Sequence, residues 1–339
     1  MRMRFSRLAT ALAGLVGVAL AAPAMAAGNM STAALQSQFN KDVVGKKIIY
    51  IPVSYSVPLT RIWGLTMQKD AEALGIKFEV RDPDFNTQRE EQLLEAVIAQ
   101  HPDLLIVHNP DVQVLASALQ KAERAGIYVI QINMASRYKT DAFIGVQPVE
   151  LGADMAKAVV KACGSASAGS HEVALMDGEV TSAYSIGITQ GAMAVFKQNP
   201  AVKVISNQAA NWDSKTAHDK AATVLQAHPN LCAYMGYWSG QDVGIAQAVK
   251  QAGLVGKVKI ITTDGGEPPA CQYLKDGLFY EDFSYQAKSQ ANQMMAVAEF
   301  LLQSHMKPGT FHTAVYSPVA ELTKDNVKPG DCAKLSSLK

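Results

Sequence analysis

Between residues 211 and 266 two kinds of segment alternate at short intervals, and that alternation sharply limits the folds open to the chain. The stretch reads NWDSKTAHDKAATVLQAHPNLCAYMGYWSGQDVGIAQAVKQAGLVGKVKIITTDGG. Apolar runs at 231–236 and 257–263 alternate with helical patterns at 213–227 and 241–251. Short buried strands alternating with amphipathic helices imply βαβ units and a parallel sheet. Each run breaks at its carboxyl end into a turn, Tyr237-Trp238-Ser239-Gly240 and Asp264-Gly265-Gly266. Ligands of such sheets bind just beyond the carboxyl ends of the strands. These turns offer aromatics, an amide and one aspartate, a set suited to holding a molecule rather than cleaving it.

The same rhythm runs through most of the chain. Strands are expected at 47–53, 76–81, 103–107, 127–132, 142–146, 171–176, 202–208 and 279–285, beside the two already named. Helices are expected at 59–74, 87–99, 112–125, 151–163, 184–198 and 288–304. Gly75 and Gly126 stand where helices end, a position that favours glycine. The fold class is therefore α/β, two doubly wound parallel-sheet lobes joined by a three-strand hinge. Crossings between the lobes are expected near Gln147, Gln286 and Thr310. One lobe comprises 27–146 plus 286–309 and the other 147–285 plus 310–339. Residues 27–44 read as a polar leader on the surface.

Arg2, Arg4 and Arg7 precede an apolar run at 8–22, and Ala24-Met25-Ala26 supplies small residues at a cleavage position. This pattern describes a secretory signal peptide over residues 1–26, and a run shorter than about 20 residues does not span a bilayer. Its removal takes three of the 31 basic residues, leaving 28 against 30 acidic ones, a net charge near −2. No basic stripe remains for nucleic acid. The expected compartment is the periplasm. Four cysteines in an exported chain favour two disulfides over a metal site, and their spacing fits no zinc pattern. Three pairings are open. Cys163–Cys232 with Cys271–Cys332 is preferred, because each pair would tie elements assigned to one lobe.

If the sheets are parallel, the turns that face the cleft carry two chemistries. Tyr55, Trp212, Tyr237, Trp238 and Tyr285 are aromatic; Ser54, Asn133, Gln241 and Asp264 form hydrogen bonds. A sugar or polyol needs both, since its C–H faces stack on rings and its hydroxyls pair with amides and carboxylates. Trp212 and Trp238 lie beyond strands rather than in them and are expected to line the cleft. Trp63 falls within a helix and is expected to pack. Asp264 is also a good turn residue before two glycines. Enzyme signatures are missing: no GxSxG, no GxxxxGK[ST] and no HExxH occurs. The segment from Gly187 to Gly191 lies inside a helical pattern, which is not where a dinucleotide fingerprint sits. No metal or cofactor is implied.

With these residues in place the chain resembles the solute-binding proteins of ABC transporters, in the type I periplasmic group of the ribose- and galactose-binding proteins. The resemblance spans about 47–300 and rests on IIYIPVSYSVPLTRIWGLTMQKDAEALGI, EQLLEAVIAQHPDLLIVHNPDVQVLASALQKAERAGIYVIQIN and the stretch through ITTDGGEP. It implies a small ligand trapped by lobe closure, delivery to a membrane permease, and a monomer. Ser54, Tyr55 and Leu59 fall in the family's first ligand loop. Asn133 stands where the sugar binders carry aspartate and Met134 where they carry arginine. Trp212 matches a stacking aromatic, Trp238 replaces a common asparagine, Asp264 matches the family aspartate and Tyr285 replaces a glutamine. The arginine expected after Ser182 is missing, with Ile188 nearest its place. A pocket of this kind suits a sugar, deoxy sugar or polyol. A nucleoside or amine, a sensor subunit for a membrane receptor, and an exported carbohydrate-active enzyme are the rival readings. The related repressors carry an N-terminal helix-turn-helix where this chain has the signal peptide expected over 1–26.

Overall fold

The computed structural model describes residues 27–165 and 169–338; the signal peptide expected over 1–26 lies outside them. Residues up to Asn40 form one unit and Lys41–Lys339 the other, and both sheets belong to the second. The segment read as a polar leader is helical, α1 (Ala27–Val43).

The first sheet is built from β1 (Lys47–Ile51), β2 (Lys77–Val80), β3 (Leu104–Val107), β4 (Tyr128–Ile132) and β5 (Ala142–Gly145). Its order, β2-β1-β3-β4-β5, continues into β11 (Thr313–Tyr316), which runs parallel to β5. The second sheet repeats this plan with β6 (Glu172–Asp177), β7 (Lys203–Ala209), β8 (Ala233–Gly236), β9 (Lys259–Asp264) and β10 (Glu281–Ser284). Its order is β7-β6-β8-β9-β10, closed by β12 (Ala320–Leu322) antiparallel to β10. Both five-strand cores therefore follow the doubly wound order 2-1-3-4-5, whose switch point lies between the first and third strands. The α/β class with two mostly parallel sheets is as expected.

Helices cover both faces of each sheet, so the strands are buried on both sides and read as continuous apolar runs, such as Leu104–Val107. In the first lobe α3 (Thr87–Ile98) and α4 (Ala116–Arg124) pack Leu94, Val97 and Leu119 on Ile49, Leu105 and Val129. On the opposite face α2 (Pro58–Ala73) packs against α10 (Ala287–Ser304). In the second lobe α7 (Ser214–Ala227) and α8 (Ser239–Gln251) cover one face through Ala217, Ala221, Ile245 and Val249. Against the other lie α5 (Pro148–Cys163) and α6 (Ala183–Gln198). Gly191 is the reason that pair packs so tightly: a Cβ there would sit 1.9 Å from the Val149 carbonyl oxygen. The Gly187–Gly191 spacing thus serves helix–helix contact, not phosphate binding.

Two features depart from the sequence reading. A helix, α9 (Pro268–Lys275), fills the segment after the Asp264 turn, with Pro at its start and Ala270, Cys271 and Leu274 buried. The crossing placed near Thr310 lies further on, between Tyr316 and Ala320, because β11 still belongs to the first sheet. Pro318 in that gap has no N–H to donate to either ladder, so the strand pairing changes sheets around it. The disulfides are Cys163–Cys232 and Cys271–Cys332, the pairing preferred from the sequence. Among the described residues no helix is long and apolar enough to cross a membrane.

Candidate ligand-binding site

Where the strand ends of the two sheets face each other, the lobes line a partly open cavity. The first lobe contributes Val53 after β1, Leu59 and Thr60 from the first turn of α2, Phe85 after β2, His108 after β3, and Asn133 and Met134 after β4. The second contributes Tyr184 from α6, Trp212 after β7, Trp238 after β8 and Tyr285 after β10. No lysine, arginine, aspartate or glutamate lines it. Of the ten residues put forward from the sequence, Leu59, Asn133, Met134, Trp212, Trp238 and Tyr285 line this cavity.

The other four stand behind it. Tyr55 lies back on α2, its ring so close to Gly64 that a Cβ there would fall 2.5 Å from it. Ser54 is buried, with its Oγ 2.7 Å from that of Ser56 and its carbonyl taken by the Thr60 hydroxyl. Ser182 caps α6, accepting from the Ser185 N–H at 3.1 Å. Asp264 turns into the protein. Its carboxyl accepts from the Gly266 and Glu267 N–H groups at 2.6 and 3.2 Å and from the Ser239 hydroxyl at 3.2 Å. The sequence could not separate this turn role from a ligand role, because both put aspartate at the end of a strand.

The aromatic wall is held from behind. Trp212 stands edge-on to Trp238 with centroids 6.4 Å apart, and Tyr184 lies 6.2 Å from Trp212 on its other side. The Trp238 Nε1–H donates to Glu267 Oε1 at 2.8 Å. Gln241 accepts from the Trp212 backbone N–H at 3.0 Å while donating to the Met176 carbonyl. Gly178 lies under the Trp212 ring, and a Cβ at that position would come within 2.1 Å of it. Any side chain there would displace the ring.

Phe85 and Trp212 are presented by the same local device in the two lobes. Asp84 and Phe85 both have φ 56°, followed by Asn86, whose side chain caps α3 by accepting from the Arg89 N–H. Asn211 and Trp212 have φ 52° and 61°, followed by Asp213, which caps α7 by accepting from the Thr216 N–H. Two successive non-glycine residues in the left-handed region are costly, of order 1–3 kcal/mol each. The Asx caps, worth about 1 kcal/mol each, help hold the conformation.

Polar groups in the first-lobe wall are few. The Asn133 Oδ1 accepts from Gln290 Nε2 at 3.0 Å, and Gln290 Oε1 accepts from the Trp63 Nε1–H at 3.1 Å. Trp63 is thus a fully buried packing residue that orients Asn133 through Gln290. His108 stands edge-on to Trp63 at 5.1 Å. Burial pushes its imidazole pKa down to about 3, and its Nδ1 has no partner in the protein. His108 and Phe85 fall in turns the sequence places at the cleft, but no signal singled them out. Tyr184 sits one residue inside a helix and reads as a core residue.

Behind the second-lobe wall lies a nest of buried acids. Burial pushes Asp242 up to about 7 and, with the nearby Asp264, Glu267 up to about 8. Asp282 faces Asp264; burial first, then that neighbour, raises it well above the usual carboxylate range. Neither Asp282 oxygen has a hydrogen-bond partner in the protein. The lobes also touch directly at the mouth of the cleft, where the Val112 N–H donates to the Thr181 carbonyl at 3.2 Å.

Residues 48–306 match the model of the periplasmic binding protein domain. The chain belongs to that family. Among relatives of this periplasmic binding protein is the D-allose-binding periplasmic protein of Escherichia coli (strain K12), 32% identical over 159 residues. That alignment covers 44% of the chain and only half, 50%, of the relative's length. The D-apiose import binding protein of Actinobacillus succinogenes is 26% identical over 237 residues, covering 68% of the chain and 72% of the relative. The myo-inositol binding protein of Caulobacter, solved with myo-inositol, superposes with a TM-score of 0.76 at 22% identity, covering 86% of the chain and 97% of that protein. This last likeness carries the fold alone.

Proposed function

We propose that this periplasmic binding protein is the exported receptor subunit of an ABC importer, closing over a neutral ring with apolar faces such as a deoxy sugar, a sugar or a cyclic polyol. The observation that carries the reading is the cavity wall. Three rings of the second lobe, Trp212, Trp238 and Tyr285, face it together with Tyr184, and no charged side chain reaches it. A ring's C–H faces stack on such walls, while Asn133 and the neutral His108 supply hydrogen-bonding edges. The two relatives named above are binding proteins for D-allose and D-apiose, both neutral and polyhydroxylated. Asn133 and Met134, in place of the aspartate and arginine of the family's sugar binders, favour a ligand with fewer hydroxyls to satisfy.

In this reading Leu59, Asn133, Met134, Trp212, Trp238 and Tyr285 touch the ligand. Ser54, Tyr55, Ser182 and Asp264 shape the loops that carry them. Delivery to a membrane permease follows hinge closure, and the leader at 1–26 directs export. Glycoside hydrolysis would need two carboxyls about 5–10 Å apart across the cleft, and the cavity wall has none.

The test is a thermal-shift screen of the chain from Ala27 onward against pentoses, hexoses, deoxy sugars, polyols, nucleosides and amines. A ligand at 100 times its Kd adds about 2.7 kcal/mol, a shift of several degrees. A hit among sugars or polyols supports the reading. Hits confined to nucleosides or amines, or turnover of a chromogenic glycoside, would overturn it.

A further inference from the structure

The backbone passes between the lobes three times, at 145–148, 284–287 and 316–320. After β12 it stays on the second lobe as far as Ala333. Val327 packs against that lobe's core, and Cys332 is bonded to Cys271 of α9. The Ala333 N–H donates to the Gly266 carbonyl at 2.8 Å. The Asp331 carbonyl rests on the same glycine, where a Cβ would lie 2.4 Å from its oxygen.

The next residues reach the first lobe. The short helical turn Leu335–Ser337 packs against α2. Leu338, only 7% exposed, lies beside the start of α10, lining one pocket with Gln286, Lys288 and Asn292. Both α2 and α10 cover the first sheet. Residues 332–338 therefore make a fourth link between the lobes, covalent at one end and apolar at the other. The link sits close to the ligand cavity. A Cβ on Gly265, in the turn beneath it, would come within 2.7 Å of Leu59 Cδ1 and 2.6 Å of Ala287 Cβ, and Leu59 lines the cavity. When the lobes swing apart about the hinge, α2 moves away from this turn, so the tail has to release α2 or resist the motion. The disulfide, three residues from Leu335, keeps the apolar end within reach at high effective concentration.

We propose that residues 332–338 are a strap that holds the lobes closed, anchored on the second lobe at Cys332 and latched onto the first through Leu335 and Leu338. The strap favours the closed arrangement and slows ligand release. It relies on hinge closure and not on which molecule is bound.

Amide hydrogen exchange on the ligand-free chain from Ala27 onward tests it. The reporter is Val112, whose N–H bonds the Thr181 carbonyl across the mouth of the cleft. In the wild type this amide should be protected. In Leu338→Asp it should exchange about tenfold faster or more, the scale set by one buried leucine. The amides of Ile106 and Leu175, inside the two sheets, should keep their rates. Leu335→Ala should act in the same direction to a smaller extent. Cys271→Ser with Cys332→Ser frees the other end and should also expose Val112. A Val112 amide unprotected in the wild type would overturn the strap, as would a rate unaltered in both Leu338→Asp and the double serine variant. Acceleration spread equally through both sheets would show a tail that stabilises the fold as a whole, and would overturn it too. None of these outcomes touches the sugar reading, which the thermal-shift screen decides separately.

Discussion

Trp212 occupies the most constrained position in the site. Its backbone is left-handed, its N–H is taken by Gln241, its ring rests on Gly178, and Tyr184 and Trp238 flank it. A ring fixed on so many sides loses little freedom when a ligand stacks on it, which is what makes such a residue a strong anchor. Trp212→Ala should weaken binding by about 1–3 kcal/mol, read by calorimetry with any ligand that the screen identifies. Gly178→Ala is a sharper test because it leaves the tryptophan in place. Its methyl would occupy the ring's position, 2.1 Å from it, so affinity should fall about tenfold or more while the melting temperature changes by a few degrees. Unchanged affinity in both variants would show that the ring does not touch the ligand. Asp264 belongs to the other kind of residue. Its partners are backbone N–H groups and a serine of its own lobe, so Asp264→Ala is expected to cost about 1–3 kcal/mol of stability for the donors left unpaired. Melting curves and calorimetry on that variant separate the roles. An affinity loss without destabilisation would return Asp264 to the ligand.

The elements were legible where strand and helix periods alternate without interruption, and illegible where something other than period decides. The ten parallel core strands sit where apolar runs end in polar turns, with boundaries shifted by a few residues. β9, for example, begins at Lys259 rather than 257. α9 escaped because Pro268-Pro269 reads as a break, although proline is well tolerated in a helix's first turn. The tail 310–320 reads only as extended, because no apolar run marks β11 or β12, and only their partners reveal which sheet each joins. The site was legible as strand-end turns, hence Trp212, Trp238, Asn133 and Tyr285. It was not legible in Tyr184, which a helical register places in the core, nor in the direction of the Asp264 carboxyl, because a turn aspartate bonded to the next N–H groups and a ligand-binding aspartate look alike in the sequence. The C-terminal tail is tied at the element scale as well. Cys271 of α9 bonds to Cys332, and the Ala333 N–H donates to the Gly266 carbonyl at 2.8 Å, so the tail lies on the Asp264 turn. Cys271→Ser with Cys332→Ser opens a link of 61 residues' separation and should cost about 2–4 kcal/mol in chemical denaturation. A cost near zero would mean that α9 and the tail hold each other without the bond.

At the scale of the whole molecule the buried acids decide how stability depends on pH. Asp242 and Glu267 are pushed up to about 7 and 8, and Glu123 in the first lobe, by burial first, to about 7. Burial raises Asp264, Asp282 and Glu90 as well. In the unfolded chain these carboxyls titrate near 4. Between that value and their folded values the native state holds more protons than the unfolded state, so stability falls as pH rises. His108 acts in the opposite sense. Folded it titrates near 3 and unfolded near 6.5, so between those values the unfolded state holds the extra proton and stability rises with pH. One imidazole offsets one carboxyl, and only below its unfolded value of about 6.5. The sum is a protein whose melting temperature declines from pH 5 to pH 8.5, each fully counted carboxyl contributing at most about 1.4 kcal/mol per pH unit. Asp242→Asn keeps an oxygen to accept from Thr262, which now donates to Asp242 at 2.6 Å, and removes one titrating group. Its decline between pH 5 and 7 should therefore be shallower than that of the wild type by about 1 kcal/mol per pH unit or less. Calorimetric melting across this range checks both. A wild-type melting temperature that stays level or rises would mean that the nest of acids is ionised in the folded chain, with water reaching it through the cleft. The wall behind Trp238 and Tyr285 would then be polar, and the neutral character assigned to the binding chamber would have to be given up.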